Sequence, residues 1–282
     1  MFNHKEQQGF LTLAYNSENT NFDYLELAYV QAIGIKLSMP DARYCVVVDS
    51  KTYSKINNKH KHVFDYVIQA PESNWPMSLE PELFWLSPFK ETIKLESDLL
   101  ITKSVKHWWS ALRLRPVVLS TNCKNIQGKT VIDNDYRKFW RDNQLPNVYN
   151  GLMYFRFTKE AFAFFTLAKN IFNNWGYLRD NVLINCREEK PSTDAVYAIT
   201  AKIIGEEQCT MPSLDYFNFV HMKPHINNWT GTVNWNEVVL SEIDPPMIRI
   251  NNLNQLDPVH YHIKNWITDD IIRKFELAAG IN

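Results

Sequence analysis

The chain predicts an α/β protein, a mostly parallel central sheet flanked by helices, and three observations support this. Apolar strand-like runs alternate with segments whose apolar residues recur at helical spacing. The 282 residues are 45% hydrophobic and 13% aromatic, enough to build a sizeable core. No Pro-, Gly- or Ser-rich linker divides the chain, so 1–282 is expected to be a single domain with an irregular extension from about residue 225.

GFLTLAYN (9–16) reads as a buried strand, and the apolar spacing of FDYLELAYVQAIGIKL (22–37) as the helix that follows it. RYCVVVDS (43–50) is a β-branched run closed by Asp49, and FDYVIQA (64–70) is a further short strand. ETIKLESDLLI (91–101) has a strand pattern but carries an acidic pair, which is costly to bury without partners. A helix around VKHWWSALR, a strand RPVVLSTN and a strand NVYNGLMYFRF entered through a turn at Asn150 and Gly151 come next. Thr158 is placed to cap the helix of TKEAFAFFTLAKNIFNNW, and Ser192 or Thr193 that of PSTDAVYAITAKIIG, with Asp194 in its first turn. The end of the chain is Pro-containing and Trp-rich, finishing in the helix TDDIIRKFELAAG.

A formal net charge of −1 argues against a protein dominated by nucleic-acid binding, while leaving room for a local basic patch. The four cysteines form neither a CxxC pair nor a Cys/His cluster, which predicts a reducing compartment rather than a disulfide framework. The first residues lack a signal-peptide pattern and no apolar run approaches a membrane span, so the expected location is the cytoplasm, with no membrane partner.

The acidic pair is the chemical signal. In KLESDLL, Glu96 and Asp98 stand at i and i+2, and strand alternation puts both side chains on one face with Ser97 pointing away. Two carboxylates so placed can hold a divalent cation, Mn²⁺ or Mg²⁺. Acid-x-acid is a common pattern and is weak by itself.

SPFKETIKLESDLLI resembles the D-x-D strand of GT-A glycosyltransferases, particularly the glycogenin-like type, with Glu96 replacing the usual first Asp. YNGLMYFR resembles that family's asparagine–glycine segment, STDAVYA its later acidic position, and FVHMKP its late histidine and lysine. The four features follow the family's order between Gly9 and about Pro224. The chain is also similar to glycosyltransferases of T-even-like tailed phages. The resemblance implies a Rossmann-like GT-A fold and sugar transfer from a nucleotide diphosphate donor, with a UDP-sugar expected. It implies His221 as the third metal ligand and Lys223 on the diphosphate. His260 and His262 in VHYHIKNW compete for the ligand role, with Lys264 imitating Lys223.

Ala14, Tyr15, Asn16 and Asp49 lie at strand ends, where α/β sheets bind ligands, and are expected to hold the nucleotide. The structural alternative is that Tyr15 packs and Asp49 caps a turn. Asn150 and Gly151 are expected to shape the sugar pocket. Asp194 is the carboxylate expected to act at the sugar, in a catalytic role, or else simply to start a helix.

From Leu99 to Ile132 there is no Asp or Glu, while Lys103, Lys106 and Arg113 occur around Trp108 and Trp109. Basic residues interleaved with aromatics suit a nucleic-acid acceptor, and with the phage resemblance hydroxymethylated cytosine in phage DNA becomes the favoured one. A solvated helix face over two core tryptophans is the plainer reading. A protein or carbohydrate acceptor, or a noncatalytic sugar-nucleotide binder, are alternatives. A nucleotidyltransferase is disfavoured because AYNSENTNF has no glycine for a phosphate loop.

Overall fold

The structure, a computed structural model, describes residues 6–16, 22–73, 75–131, 137–211 and 216–281. The last residue of the acid-free run, Ile132, and much of AYNSENTNF lie outside them. The described strands are Glu6–Ala14 (β1), Tyr44–Val48 (β2), Tyr66–Gln69 (β3), Phe89–Glu96 (β4), Leu99–Leu100 (β5), Val117–Thr121 (β6) and Cys123–Lys124 (β7). They continue with Thr130–Val131 (β8), Val148–Arg156 (β9), Val220–His221 (β10), Ser241–Asp244 (β11), Met247–Ile250 (β12), Leu253–Asn254 (β13) and Val259–His260 (β14).

The central sheet has the order β3-β2-β1-β4-β9-β6. β1 runs parallel to β2 and β4, and β2 to β3, whereas β9 is antiparallel to both β4 and β6. The YCVVV run of β2 is buried throughout, as a strand covered on both faces must be. Along β1 the side chains alternate between layers: Phe10 enters the core beneath helix Tyr24–Ser38, and Leu11 the core on the opposite face.

Helix Tyr24–Ser38 is capped by Asp23, whose side chain accepts from the Leu25 N–H, and it is buried almost all round. One side of it covers the sheet. The other meets helix Asp269–Ala278, whose Phe275 ring packs at Gly34. Helices Lys159–Asn173 and Thr193–Ile204 form a separate core with β6 and β9. Thr158 and Ser192 cap these two helices, as their sequences predict.

Two details differ from the sequence reading. Asn150 and Gly151 do not form a turn before β9; they lie inside it, at a register irregularity where Leu119 pairs with Met153 but Ser120 with Tyr149. The intervening residues bulge away from β6 while Leu152 still pairs with Leu95 of β4. Nor does the strand of Glu96 run on through Asp98: β4 ends at Glu96, Ser97 and Asp98 make a turn, and Leu99–Leu100 belongs to a second sheet.

That second sheet, β5-β14-β10-β7-β8, gathers short strands from distant parts of the chain. Its register places His221 beside His260 and His260 opposite Leu99. A three-stranded meander, β11-β12-β13, occupies part of the region expected to be irregular. No disulfide joins the four cysteines.

Candidate active site

A cavity of about 610 Å³ opens beyond the carboxyl ends of β1 and β4, where open α/β sheets bind ligands. One wall carries Glu96, Ser97 and Asp98; facing them are His221, Lys223, His260, His262 and Lys264. Thr193 and Asp194, at a helix start, form another side.

Glu96 and Asp98 converge through the turn rather than through strand alternation. Gln31, fully buried in helix Tyr24–Ser38, holds that turn by donating from Nε2 to the carbonyls of Glu96 (2.6 Å) and Leu99 (2.5 Å). Its Oε1 accepts from the Tyr44 hydroxyl at 2.7 Å. The backbone N–H of Tyr261 donates to the Asp98 carbonyl, tying β14 to the same turn.

His260 Nε2 lies 3.0 Å from Asp98 Oδ2 and 3.2 Å from Glu96 Oε2. The Lys264 ammonium also contacts Asp98. Ligand atoms of Asp98, His260 and His262 lie within 4.8 Å of one another. His221 stands behind this group, its ring stacked on His260 with centroids 4.6 Å apart and planes 6° apart.

Burial pushes the His221 imidazole well below its ordinary pKa, and the nearby His260 and Lys223 add to the effect. His260 is lowered by burial too, against the opposing pull of Glu96. His262 is pushed down to about 4, first by desolvation and then by Lys223 and His260. Burial brings Lys264 down to about 8, with Glu96 acting in the other direction. The imidazoles are therefore neutral near pH 7, with lone pairs available to a cation. Carboxylate oxygens together with neutral imidazole nitrogens form a donor set able to hold a divalent cation.

Asp194 meets the site through a network. Its Oδ2 accepts from Arg137 at 2.6 Å, and its Oδ1 from the Asn150 backbone N–H at 2.6 Å. Arg137 lies over the Tyr149 ring, 3.9 Å from its centroid. Asn150 Nδ2 donates to Thr193 Oγ1 at 3.0 Å and approaches Glu96 Oε1 at 3.5 Å. Gly151 lines the cavity with Glu96 Oε2 and His260 Nδ1 close by, although a Cβ there would meet them only at ordinary contact distance.

The residues expected to hold the nucleotide divide. Tyr15 lines the cavity and donates its hydroxyl to the Ser73 carbonyl. Ala14 is buried in the sheet beside Val48. Asn16 accepts from the Tyr24 N–H and donates to Asp23, while Asp49 accepts from the Thr52 N–H as a helix cap. Both of these polar groups have local structural work.

The basic run does not border the cavity. Arg113 pairs with Glu91 near the start of β4 and donates to Gln8 near the start of β1, at the opposite end of these strands from Asp98. Lys106 faces Asp41 at 3.8 Å, and Lys103 is exposed. Trp108 and Trp109 are core residues, 2% and 5% exposed, and are not available for base stacking.

Sequence reasoning missed Gln31, Arg137 and the buried pair of Glu80 and Lys94. Two of these left a trace, a lone glutamine inside an apolar helix and a lysine between Ile93 and Leu95 of a buried strand. Their partners are set by tertiary contacts, which no local pattern encodes.

No family model and no curated protein matches the sequence. Solved structures do. The galactosyltransferase LgtC, solved in complex with donor and acceptor sugar analogues, superposes with a TM-score of 0.53 at 11% identity, over 96% of this chain and 95% of that one. The bifunctional glycosyltransferase WbbM matches with a TM-score of 0.54 at 8% identity, over 97% of this chain and 50% of that one. The glycosyltransferase GlyE of Streptococcus pneumoniae TIGR4 matches with a TM-score of 0.53 at 8% identity, over 98% and 61%. At these identities the likeness establishes the fold: the chain has the α/β GT-A architecture of these solved glycosyltransferases.

Proposed function

We propose that this chain is a metal-dependent glycosyltransferase that moves a sugar from a nucleotide diphosphate donor, a UDP-sugar, onto an acceptor. One observation carries the reading. At the end of β4 the His260 imidazole lies within 3.2 Å of carboxylate oxygens of both Glu96 and Asp98, inside the cavity where this fold opens to ligands.

Asp98, His260 and His262 would hold Mn²⁺ or Mg²⁺, with Glu96 3.2 Å from His260 and His221 stacked behind His260. A bound cation supplies positive charge against the diphosphate leaving group. Lys223 and Lys264 line the same cavity and add ammonium charge there. Asp194 fixes the Asn150 backbone, and Ser192, Thr193 and Asp194 line the cavity with polar atoms for the sugar. In this reading Asp194 acts on sugar position, through its contacts, rather than on the metal.

The acceptor is a separate question. Hydroxymethylated cytosine in DNA was the acceptor the sequence favoured, and the placement of Lys103, Lys106 and Arg113 away from the cavity lends that choice no support. A nucleotide-sugar panel incubated with Mn²⁺, Mg²⁺ or chelator, without acceptor, tests donor use. Metal-dependent hydrolysis of one donor is expected, and no hydrolysis of any donor would leave a binder rather than an enzyme. Modified duplexes and free saccharides added to the productive donor then identify the acceptor by label transfer.

A further inference from the structure

Beyond the carboxylate and imidazole cluster, one buried charge pair reaches the cavity. Glu80 follows the short turn Pro76–Leu79, is 5% exposed and lines the cavity wall. Its Oε2 lies 2.9 Å from the ammonium of Lys94, which is 1% exposed in the middle of β4. Lys94 also donates to the Asn150 carbonyl at 3.1 Å.

Such a pair is an expensive way to fill a core. An apolar pair of equal volume is often as stable or more so, and local choices that break the folding pattern concentrate at functional sites. Lys94 stands behind the wall, while Glu80 faces the cavity. Nearby, Asn150 Oδ1 is buried and accepts no hydrogen bond among the described residues, although Asn150 Nδ2 is occupied by Thr193. With Asn150 buried behind it, the wall presents the carboxylates of Glu80 and Glu96 to the cavity. The cavity's cations stand elsewhere: Lys264 contacts Asp98, Lys190 lies over the Trp75 ring, and Lys223 stands among His221, His260 and His262. A complementary ligand must bring hydrogen-bond donors and no negative charge to this wall.

We propose that Glu80, held in place by Lys94, is a specificity-determining residue that binds hydroxyl groups of an uncharged sugar on the nucleotide donor and excludes sugar acids. This rests on the nucleotide-sugar reading of the same cavity. A carboxylate brought by a uronic acid would face Glu80 and Glu96 in a poorly solvated site, and like charges so placed oppose binding strongly.

The test is calorimetric titration of UDP, UDP-glucose, UDP-galactose and UDP-glucuronate with Mn²⁺ present. Because Glu80→Gln alone strands the Lys94 charge, the double variant Glu80→Gln/Lys94→Met is measured beside it, with melting temperature and circular dichroism as checks on folding. The wild-type protein should bind one of the two UDP-hexoses at least about tenfold more tightly than UDP-glucuronate. In the double variant that ratio should shrink to about threefold or less, with UDP affinity unchanged. Equal wild-type affinity for hexose and uronate overturns the proposal whatever the variants do. An unchanged ratio in a folded double variant overturns it as well. If UDP binds but the sugars are not distinguished, only the role of Glu80 falls; if no uridine nucleotide binds, the donor reading falls with it.

Discussion

Asp98 is 3% exposed, and a carboxylate so buried keeps its charge only with partners; it has His260 and Lys264. Among the described residues His260 is the imidazole that touches both acids, whereas His221 meets His260 ring against ring. His260→Ala should therefore weaken Mn²⁺ binding by about tenfold or more, and His221→Ala by less. Calorimetric metal titration of both variants decides this, and the opposite ranking would move the ligand role to His221. Gln31 acts one step further back. Gln31→Leu leaves the carbonyls of Glu96 and Leu99 without their buried donor, at a cost of about 1–3 kcal/mol. Urea unfolding should register that loss, together with weakened Mn²⁺ affinity; a variant with wild-type stability and metal binding would show that the turn holds itself.

At the scale of elements, the features written in local sequence were the readable ones. Thr158 and Ser192 cap helices because a short hydroxyl side chain can reach an orphan N–H of the first turn, a relation contained within four residues. The all-apolar β2 and the helix Tyr24–Ser38 were equally visible. The Glu96-x-Asp98 pair was expected to align for a reason the structure does not bear out. Strand alternation was expected to align the two side chains, but a turn held by Gln31 and Tyr261 brings them together, and those partners lie 65 or more residues away. Close packing sets other limits on single positions. A Cβ at Gly9 would come within 2.3 Å of the Phe89 ring, so Gly9→Ala should destabilise the fold by about 1–3 kcal/mol. Chemical denaturation showing no loss would mean that Phe89 can turn aside without cost.

Across the whole molecule, the parallel start of the sheet was legible from strand–helix alternation, whereas the antiparallel β9 and the second sheet were not. Two-residue strands such as β10 and β14 have no periodicity to read, and only their pairing makes His221 and His260 neighbours. Among the described residues no helix is long and apolar enough to cross a membrane. Ion pairs should govern stability in acid. Burial raises the Asp65 carboxyl, but hydrogen bonds from Lys36, Arg43 and the Tyr44 N–H outweigh it, leaving the pKa below the ordinary 3.8. Glu26 is lowered below 4.5 in the same way, burial being outweighed by His60 and Lys59. The unfolded chain then binds more protons as pH falls through these ordinary values, so the stabilisation is complete above them and drains away below. Urea midpoints should drop between pH 5 and pH 3 (about that window), and Asp65→Asn should flatten the slope; a flat wild-type profile would contradict the assignment. The central claim, that this cavity is a metal-assisted nucleotide-sugar site, is tested most directly by calorimetric titration of UDP with Mn²⁺ and with chelator, in the wild-type protein and in Asp98→Asn. The account predicts UDP binding that requires Mn²⁺ and is largely lost in Asp98→Asn while the fold persists. UDP binding that is equally tight with chelator, or undiminished in Asp98→Asn, would contradict it.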